Sequence, residues 1–441
     1  MSPLSSQCQN QSDTMRLIAL IAFFIVARLA QAGMTLNDCL VYARDHAHRN
    51  VVNSIEVRQA AADSRLAASA LMPEVDLSAS GNMSFGRNID PETNTYDNRK
   101  TLYSGFGLQM SIPLFDGLVG VNNLRAARTG RLRREEGARA EADEISIEVI
   151  KAFYNVSYCK AMVGQMEQQL ERDLSNLRAV EKGVELGTKS GADLAEVEAI
   201  VAADRYELTN QNSLLEKAYL RLKSSMGMPF DGAVPELTEE EYEGEADAGF
   251  ENPRIAEARL ALKESRYYLK AAKGRFSPVI SLNMGVSTSY YRIYGDGYQN
   301  RGFSQQWRDN MGRYVGFTVG VPLFTGLSRI NGVRKASLEV SRREILLDEA
   351  RYEADRQKAE ARLDLESAVE ELCAAEARVR AEEAAYNAVQ RKFELGGASA
   401  IDLYTSGAKL ATARANFEGK RIRRIISRIL LGYYNGEKLI K

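Results

Sequence analysis

The chain contains the same plan twice, and this internal repeat limits its possible folds more than any other feature. Segments 113–117 and 322–326 read PLFDG and PLFTG, and segments 186–194 and 395–403 both have the form LGxxxxxDL. The two pairs share one offset of 209 residues. A constant offset between separate motifs indicates a tandem duplication, so each half is expected to fold into the same set of elements.

We place the first repeat at 33–227 and the second at 253–441, and we expect each to begin with a helix. Two segments then follow in which apolar and polar residues alternate over about ten residues, as in a strand that crosses a membrane with one apolar face. The apolar members are Val75, Leu77, Ala79, Met83 and Phe85; Phe106, Leu108, Met110 and Ile112; Ile280, Leu282, Met284 and Val286; and Val315, Phe317, Val319 and Val321. We therefore predict β-hairpins at about 75–112 and about 279–321. A soluble β-sandwich with one wet face is the alternative that this pattern leaves open.

Prolines mark the ends of these segments. Pro73 and Pro278 precede the first strand of each pair, and Pro113 and Pro322 follow the second. Because proline neither continues a helix nor donates to a central β-ladder, we expect the chain to switch between helix and strand at these points.

Long proline-free stretches follow each hairpin, with apolar residues at steps of three and four. This heptad-like spacing predicts coiled-coil helical hairpins at about 117–227 and about 326–436. The first arm, about 70 residues, would be roughly 100 Å long at 1.5 Å per residue. A helix of that length exceeds what a globular core needs.

The remaining segments are a leader and a connector. Residues 1–32 have the pattern of a secretory signal peptide, with an apolar run at 17–26 and an Ala-x-Ala site before Gly33. The first 14 residues do not resemble the start of such a peptide, so Met15 is a candidate translation start. Residues 228–252 contain many acidic residues and no Lys or Arg, which predicts an extended, solvated linker between the repeats.

Four strands are too few to close around a lumen, and open strand edges cannot face lipid. No segment after the leader has 18 consecutive apolar residues, so a membrane-spanning part would have to be a barrel shared by several chains. Three chains would give 12 strands, an even number within the known range.

The motifs together resemble those of the TolC-like outer-membrane efflux proteins, the outer membrane factor family. The resemblance is carried by segment 35–43 (TLNDCLVYA), the two PLFxG segments and the two LGxxxxxDL segments, and it covers about residues 34–436. It implies a mixed fold of membrane β-strands and long periplasmic coiled-coil hairpins. In that fold, four strands from each chain of a homotrimer form a shared 12-stranded barrel.

The resemblance also implies a function and partners. The chain would be the outer-membrane exit duct of a tripartite efflux or type I secretion system, conducting substrates passively to the exterior. Its partners would be a periplasmic adaptor protein, an inner-membrane transporter of RND, ABC or MFS type, and outer-membrane lipid.

Carried over residue by residue, the resemblance places Leu186, Gly187, Leu395 and Gly396 at the periplasmic tips that meet the adaptor. The alternative for the two glycines is that they only reverse the chain, since glycine permits a positive φ.

The resemblance further implies that Asp193, Asp402 and Phe393 lie at the pore constriction, where rings of carboxylates favour cations. The alternative for the aspartates is stabilisation of a helix N-terminus. Phe393 replaces a tyrosine that is common at such gates, Ala398 and Thr405 replace charged residues, and Lys189 is a candidate substitute charge.

Other function classes find little support. The two histidines, His46 and His48, form no catalytic or metal-binding constellation, and no phosphate loop or nucleophile elbow occurs. We therefore predict no enzyme activity, cofactor or metal. With 58 Lys and Arg against 59 Asp and Glu, the chain has no basic footprint for nucleic acid. A non-channel periplasmic coiled-coil scaffold remains the alternative function, although it leaves the four alternating strands unexplained.

Overall fold

A computed structural model describes residues 33–89, 95–231, 236–239, 245–246, 251–295 and 299–439. The predicted signal peptide at 1–32 lies outside these residues, as does much of the predicted linker. The chain forms two compact units, each built from separated stretches of sequence. The first unit takes its residues from the chain up to Ile55, from Glu136–Ile255 and from Ala350 onward, and the second from Glu56–Glu135 and Ala256–Glu349.

Helices dominate the described residues. They are α1 (Leu36–His46), α2 (His48–Ser69), α3 (Val119–Glu185), α4 (Gly191–Met226), α5 (Pro253–Gly274), α6 (Phe303–Asp309), α7 (Ser328–Glu394) and α8 (Ala400–Tyr434). The strands are β1 (Glu74–Ile89), β2 (Tyr96–Phe115), β3 (Glu245–Ala246), β4 (Val279–Tyr294), β5 (Gly312–Gly320) and β6 (Glu437–Lys438). None of these helices combines the length and the apolar character needed to cross a membrane.

The tandem repeat is present in the backbone as well as in the sequence. Helices α3 and α7 both have 67 residues, and their first and last residues keep the 209-residue offset. Immediately before them, Leu118 and Leu327 adopt φ values of 62° and 64°. Such values are uncommon for residues other than glycine, so the same backbone turn begins the long helix in each repeat.

In the second unit, four antiparallel strands form a sheet with the order β1-β2-β4-β5. One row across this sheet pairs Val75 with Met110, Met110 with Met284 and Met284 with Val315. Directly paired residues point to the same face, so this register brings the predicted apolar residues of all four strands together on one face. We call this surface the apolar face.

The strands differ from the predicted segments in length and in one boundary. Strands β1, β2 and β4 have 16, 20 and 16 residues, because backbone pairing continues through polar residues beyond the apolar alternation. The prediction that Pro113 follows its strand is wrong, since it lies within β2. A register shift between Pro113 and Phe115, beyond the last residue that pairs with β1, accommodates the missing N–H group.

The first unit has its main core where α1 packs against the long helices. Leu40, Ile150, Phe153 and Leu222 are among its largest fully buried side chains. Burying these side chains removes apolar surface from water and stabilises the contact between α1 and the long helices.

The described parts of the acidic linker are attached to this unit. Glu236 accepts a hydrogen bond from Lys160 at 2.9 Å, and Glu239 accepts one from Arg421 at 3.1 Å. Strand β3 pairs with β6 near the C-terminus. Basic side chains of the long helices thus neutralise the linker carboxylates at these positions, and the extended, solvated character of the linker as a whole stays a prediction.

Candidate functional site

The two helical hairpins turn with the same backbone geometry. Gly187 and Gly396 adopt φ values of +71° and +77°. In the first turn, Gly187 N donates to Val184 O at 3.0 Å, and Thr188 N donates to Gly183 O at 2.8 Å. These two bonds form a Schellman motif, which satisfies the last carbonyl groups of α3.

The glycines reverse the chain because of their backbone conformation and not because of crowding. A Cβ atom added at Gly187 or Gly396 would meet nothing within 4 Å in the described chain. The neighbouring Leu186 and Leu395 are 73% and 88% exposed. At each tip, an apolar side chain thus stands in the open beside a glycine that fixes the turn.

Asp193 and Asp402 both lie in capping boxes at the starts of α4 and α8. The Oδ2 atom of Asp193 accepts from Ser190 N and Ser190 Oγ, both at 2.8 Å, and Asp193 N donates back to Ser190 Oγ at 3.1 Å. The Oδ2 atom of Asp402 accepts from Ser399 N at 3.0 Å and from Ser399 Oγ at 2.8 Å. The structure therefore gives both aspartates the helix-starting role that was the alternative to a pore ring.

These hydrogen bonds also set the charge of the two aspartates. Donation from the Ser190 backbone, then from its hydroxyl, lowers the pKa of Asp193 below its ordinary value, and Ser399 has the same effect on the pKa of Asp402. Both carboxylates are consequently ionised at neutral pH in the single chain. The sequence reading overlooked Ser190 and Ser399, although the spacing Ser-x-x-Asp before an apolar run is a capping-box signature.

Phe393 lies in the last turn of α7, half-buried against side chains of both hairpins. It packs against a small cluster centred on Val180 and Val197, and against another that contains Leu403. The Nζ atom of Lys189 lies 4.8 Å from the centroid of its ring. From the sequence, Lys189 was predicted only as a candidate substitute charge at the gate. In the structure it contacts Phe393.

One further group was missed from the sequence. Asp204 is 3% exposed on α4, where Gln169 Nε2 donates to its Oδ1 atom at 2.9 Å and its Oδ2 atom has no hydrogen-bond partner in the described chain. Burial raises its pKa to about 7, and contact with Asp173 contributes in the same direction. The sequence signal for this buried carboxylate is that Asp204 lies three residues after Val201, at a position where the helical spacing calls for an apolar side chain.

This duplicated arrangement can be compared with known proteins. The sequence model of the outer membrane efflux protein family matches residues 51–228 and 247–432, which is most of the chain and includes both hairpin turns.

The chain belongs to the outer membrane efflux protein family.

Individual members of this family are distant in sequence but similar in fold. Outer membrane efflux protein BepC of Brucella suis is 25% identical over 324 residues, which cover 72% of this chain and 65% of BepC. The chain therefore spans just under two thirds of that curated relative. A solved structure of CusC matches with a TM-score of 0.79 at 18% identity, covering 93% of this chain and 94% of CusC. The structure of VceC from Vibrio cholerae matches with a TM-score of 0.77 at 16% identity, covering 92% and 96%.

Family membership confirms the resemblance inferred from the motifs and the predicted class of fold. It also confirms the predicted localisation in the outer membrane, with the helical part in the periplasm. The roles of the tip residues, of the two aspartates and of Phe393 stay predictions.

Proposed function

We propose that the chain is one protomer of a trimeric exit duct that carries substrates passively across the outer membrane. The observation that carries the proposal is a four-stranded sheet with one apolar face and two free edges. Strands β1 and β5 form the edges of this sheet within the described residues. Leu77 and Phe317, on the apolar face, are 82% and 69% exposed in the single chain.

One arrangement would satisfy both the free strand edges and the exposed apolar face. Free edges expose unpaired N–H and C=O groups, which cannot be satisfied in hydrocarbon. Pairing β5 of one chain with β1 of the next would satisfy both edges, and three chains would close 12 strands with every apolar face turned to lipid. A periplasmic scaffold would leave this large apolar surface in water, which is unfavourable.

The long helices support assembly as well. Leu338 and Ile345 lie seven residues apart on α7 in the second unit, and they are 65% and 70% exposed. A step of seven keeps side chains on one seam of a coiled coil. We expect this exposed seam to pack against a helix of another chain.

The duct would act with other proteins. The exposed Leu186 and Leu395 at the turns fit a docking surface for the helical hairpins of a periplasmic adaptor, which in turn would contact an inner-membrane transporter of RND, ABC or MFS type. Whether the system exports small molecules or a protein depends on that transporter. Asp193 and Asp402 would line the periplasmic entrance, and Phe393 would pack beneath it.

Native mass spectrometry in detergent tests the assembly, with planar-bilayer recordings as the functional readout. We expect mainly trimer and a stable conductance. Phe317→Arg would place a charge on the lipid side and should abolish insertion, since such a residue costs roughly 2–4 kcal/mol at the bilayer midplane. The adjacent Gly316 faces the other side of β5, so Gly316→Arg should insert normally. A protein that is mainly monomeric, or equal insertion of the two variants, contradicts the proposal.

A further inference from the structure

Three basic residues lie together on the apolar face, near the end of β1, the start of β2 and the end of β4, which are opposite the strand ends that join α2, α3 and α5. The register pairs Leu102 with Arg292 and Phe85 with Lys100, and both pairs lie on the apolar face. Arg87, two residues beyond Phe85, lies on the same face. All three basic side chains are exposed. We call Arg87, Lys100 and Arg292 the basic collar.

Each cation of the collar contacts an aromatic ring of the same face. Arg87 Cζ lies 4.9 Å from the ring centroid of Tyr96. Lys100 Nζ lies 5.4 Å from that of Phe85 and 5.2 Å from that of Tyr294. Arg292 Cζ also lies over Tyr294, at 5.2 Å. These contacts hold the cations at the sheet surface while their N–H groups remain exposed.

No carboxylate neutralises the collar in the part of the chain that the structure describes. Along β1 from Met83 to Ile89, β2 from Tyr96 to Leu102 and β4 from Tyr290 to Tyr294, no position on the apolar face is Asp or Glu. An apolar surface with three exposed cations and no acidic partner favours a ligand that is both apolar and anionic.

An aromatic cluster borders the collar on the side nearer the middle of the sheet. Phe106 of β2 lies 5.1 Å from Trp307 of α6, between ring centroids, and Tyr290 of β4 lies 5.3 Å from Phe303. Phe106 and Tyr290 belong to the apolar face. Aromatic rings at the border between an apolar band and a charged one are typical of the membrane–water interface.

The α6 segment is held in this position by side-chain amides that complete the edge of β4. Strand β5 pairs with β4 only as far as Ser287. Beyond it, Gln306 accepts from Tyr291 N and donates to Tyr291 O, both at 3.0 Å, and Asn300 does the same with Ile293, both at 2.8 Å. These bonds satisfy the edge of β4 beyond the end of β5 and hold the aromatic cluster beside the collar.

We infer that the basic collar binds the phosphate groups of an anionic lipid in the outer leaflet of the membrane. The inference rests on the proposed function, because that function turns the apolar face to lipid and places the strand ends away from the periplasmic helices at the outer surface. Guanidinium and ammonium groups are the usual protein partners of phosphate, and the rings beside them would contact the acyl chains.

The test uses native mass spectrometry of the full protein in detergent, titrated with diphosphoryl lipid A and, separately, with monophosphoryl lipid A. The native protein should retain the diphosphoryl form more tightly. In the variant R87Q/K100Q/R292Q, binding of the diphosphoryl form should weaken roughly tenfold or more, as expected for the loss of three cations near an anionic surface. The charge-retaining variant R87K/K100R/R292K should stay within about threefold of native.

Several outcomes overturn the inference. Equal retention of the two lipids by the native protein would show that the lipid phosphate groups do not contribute to binding. This comparison needs no variant. Undiminished binding of the lipid by the glutamine variant would show that the basic collar is not the binding site. Displacement of the lipid by inorganic phosphate would indicate a site for small anions. Loss of the trimer with lipid binding retained would assign the collar to contact between chains. The same spectra report trimer mass, so a monomeric native protein would refute the proposed duct, whereas a native trimer without phosphate-dependent lipid would refute only the collar.

Discussion

The Nζ atom of Lys189 lies 4.8 Å from the ring centroid of Phe393, so a cation in the turn of the first hairpin contacts an aromatic ring in the last turn of α7. The two residues belong to different repeats, and the positions that correspond to them by the 209-residue offset are Ala398 and Val184. The duplication is therefore asymmetric at this contact, where a cation of the first repeat meets an aromatic ring of the second.

Loss of this pair should loosen the tips. A partly exposed cation–π contact contributes about 0.5–1 kcal/mol, so Lys189→Gln should raise basal conductance in planar bilayers by roughly two- to fivefold. Phe393→Leu should have a similar effect, and the double variant should add little to either single one. Lys182→Gln, which removes a cation from the last turn of α3, is the matched control. Additive effects in the double variant would show that the two side chains act independently.

The exposed leucines of the turns should determine adaptor docking. Replacing both Leu186 and Leu395 with Asp removes the apolar contact and adds charge, so crosslinking to the adaptor should fall at least tenfold while trimer yield stays normal. Replacement of both with Met keeps an apolar side chain of similar volume and should preserve crosslinking. Normal crosslinking in the aspartate variant would exclude the tips from the adaptor interface.

The two aspartates should affect ion selectivity separately from their capping role. Asp193→Asn combined with Asp402→Asn removes six charges from a trimer, so divalent-cation block and cation selectivity in bilayers should both weaken. Ser190→Ala combined with Ser399→Ala removes the caps but keeps the carboxylates, and should leave selectivity unchanged. Unaltered cation block in the asparagine variant would mean that the carboxylates point away from the pore.

The same capping boxes predict a pH dependence. The pKa of each of the two aspartyl groups is lowered in the folded chain. Their stabilising effect is therefore fully present above the unfolded-state pKa of about 4 and is lost as pH falls through the lower folded-state value.

Asp204 should give the opposite dependence. Its pKa is raised to about 7 by burial, so between pH 4 and pH 7 the folded chain binds more protons here than the unfolded chain does. Stability should consequently fall as pH rises through this window. Asp204→Asn should therefore raise the thermal midpoint at pH 8 by roughly 2–5 °C, with little change at pH 4.

Circular dichroism during heating at the two pH values measures this difference. Glu207→Gln, which removes a carboxylate from the same helix one turn away, is the matched control and should leave the pH profile as it is. An equal shift of the midpoint at both pH values in Asp204→Asn would indicate a packing effect and not a titration.

Much of the fold could be predicted because its signals are local and periodic. Alternation with a period of two identified the apolar residues of four strands, and spacing near three and a half identified the long helices. The 209-residue offset identified the repeat, and the motifs at its turns identified the family. The two periodicities and the turn motifs depend on near neighbours in the chain, and the repeat follows from comparing the sequence with itself, so the sequence alone determined all of them.

The contacts that give the candidate site its chemistry were decided by the tertiary structure. Lys189 reaches Phe393, and Gln169 reaches Asp204, across long intervals of sequence. Of the amides that complete the edge of β4, Gln306 lies in a short helix that no periodic pattern indicates, and Asn300 lies just before that helix. Such pairs form only when helices pack at a particular register and rotation. That arrangement is a property of the whole folded chain, because many weak packing contacts select it together.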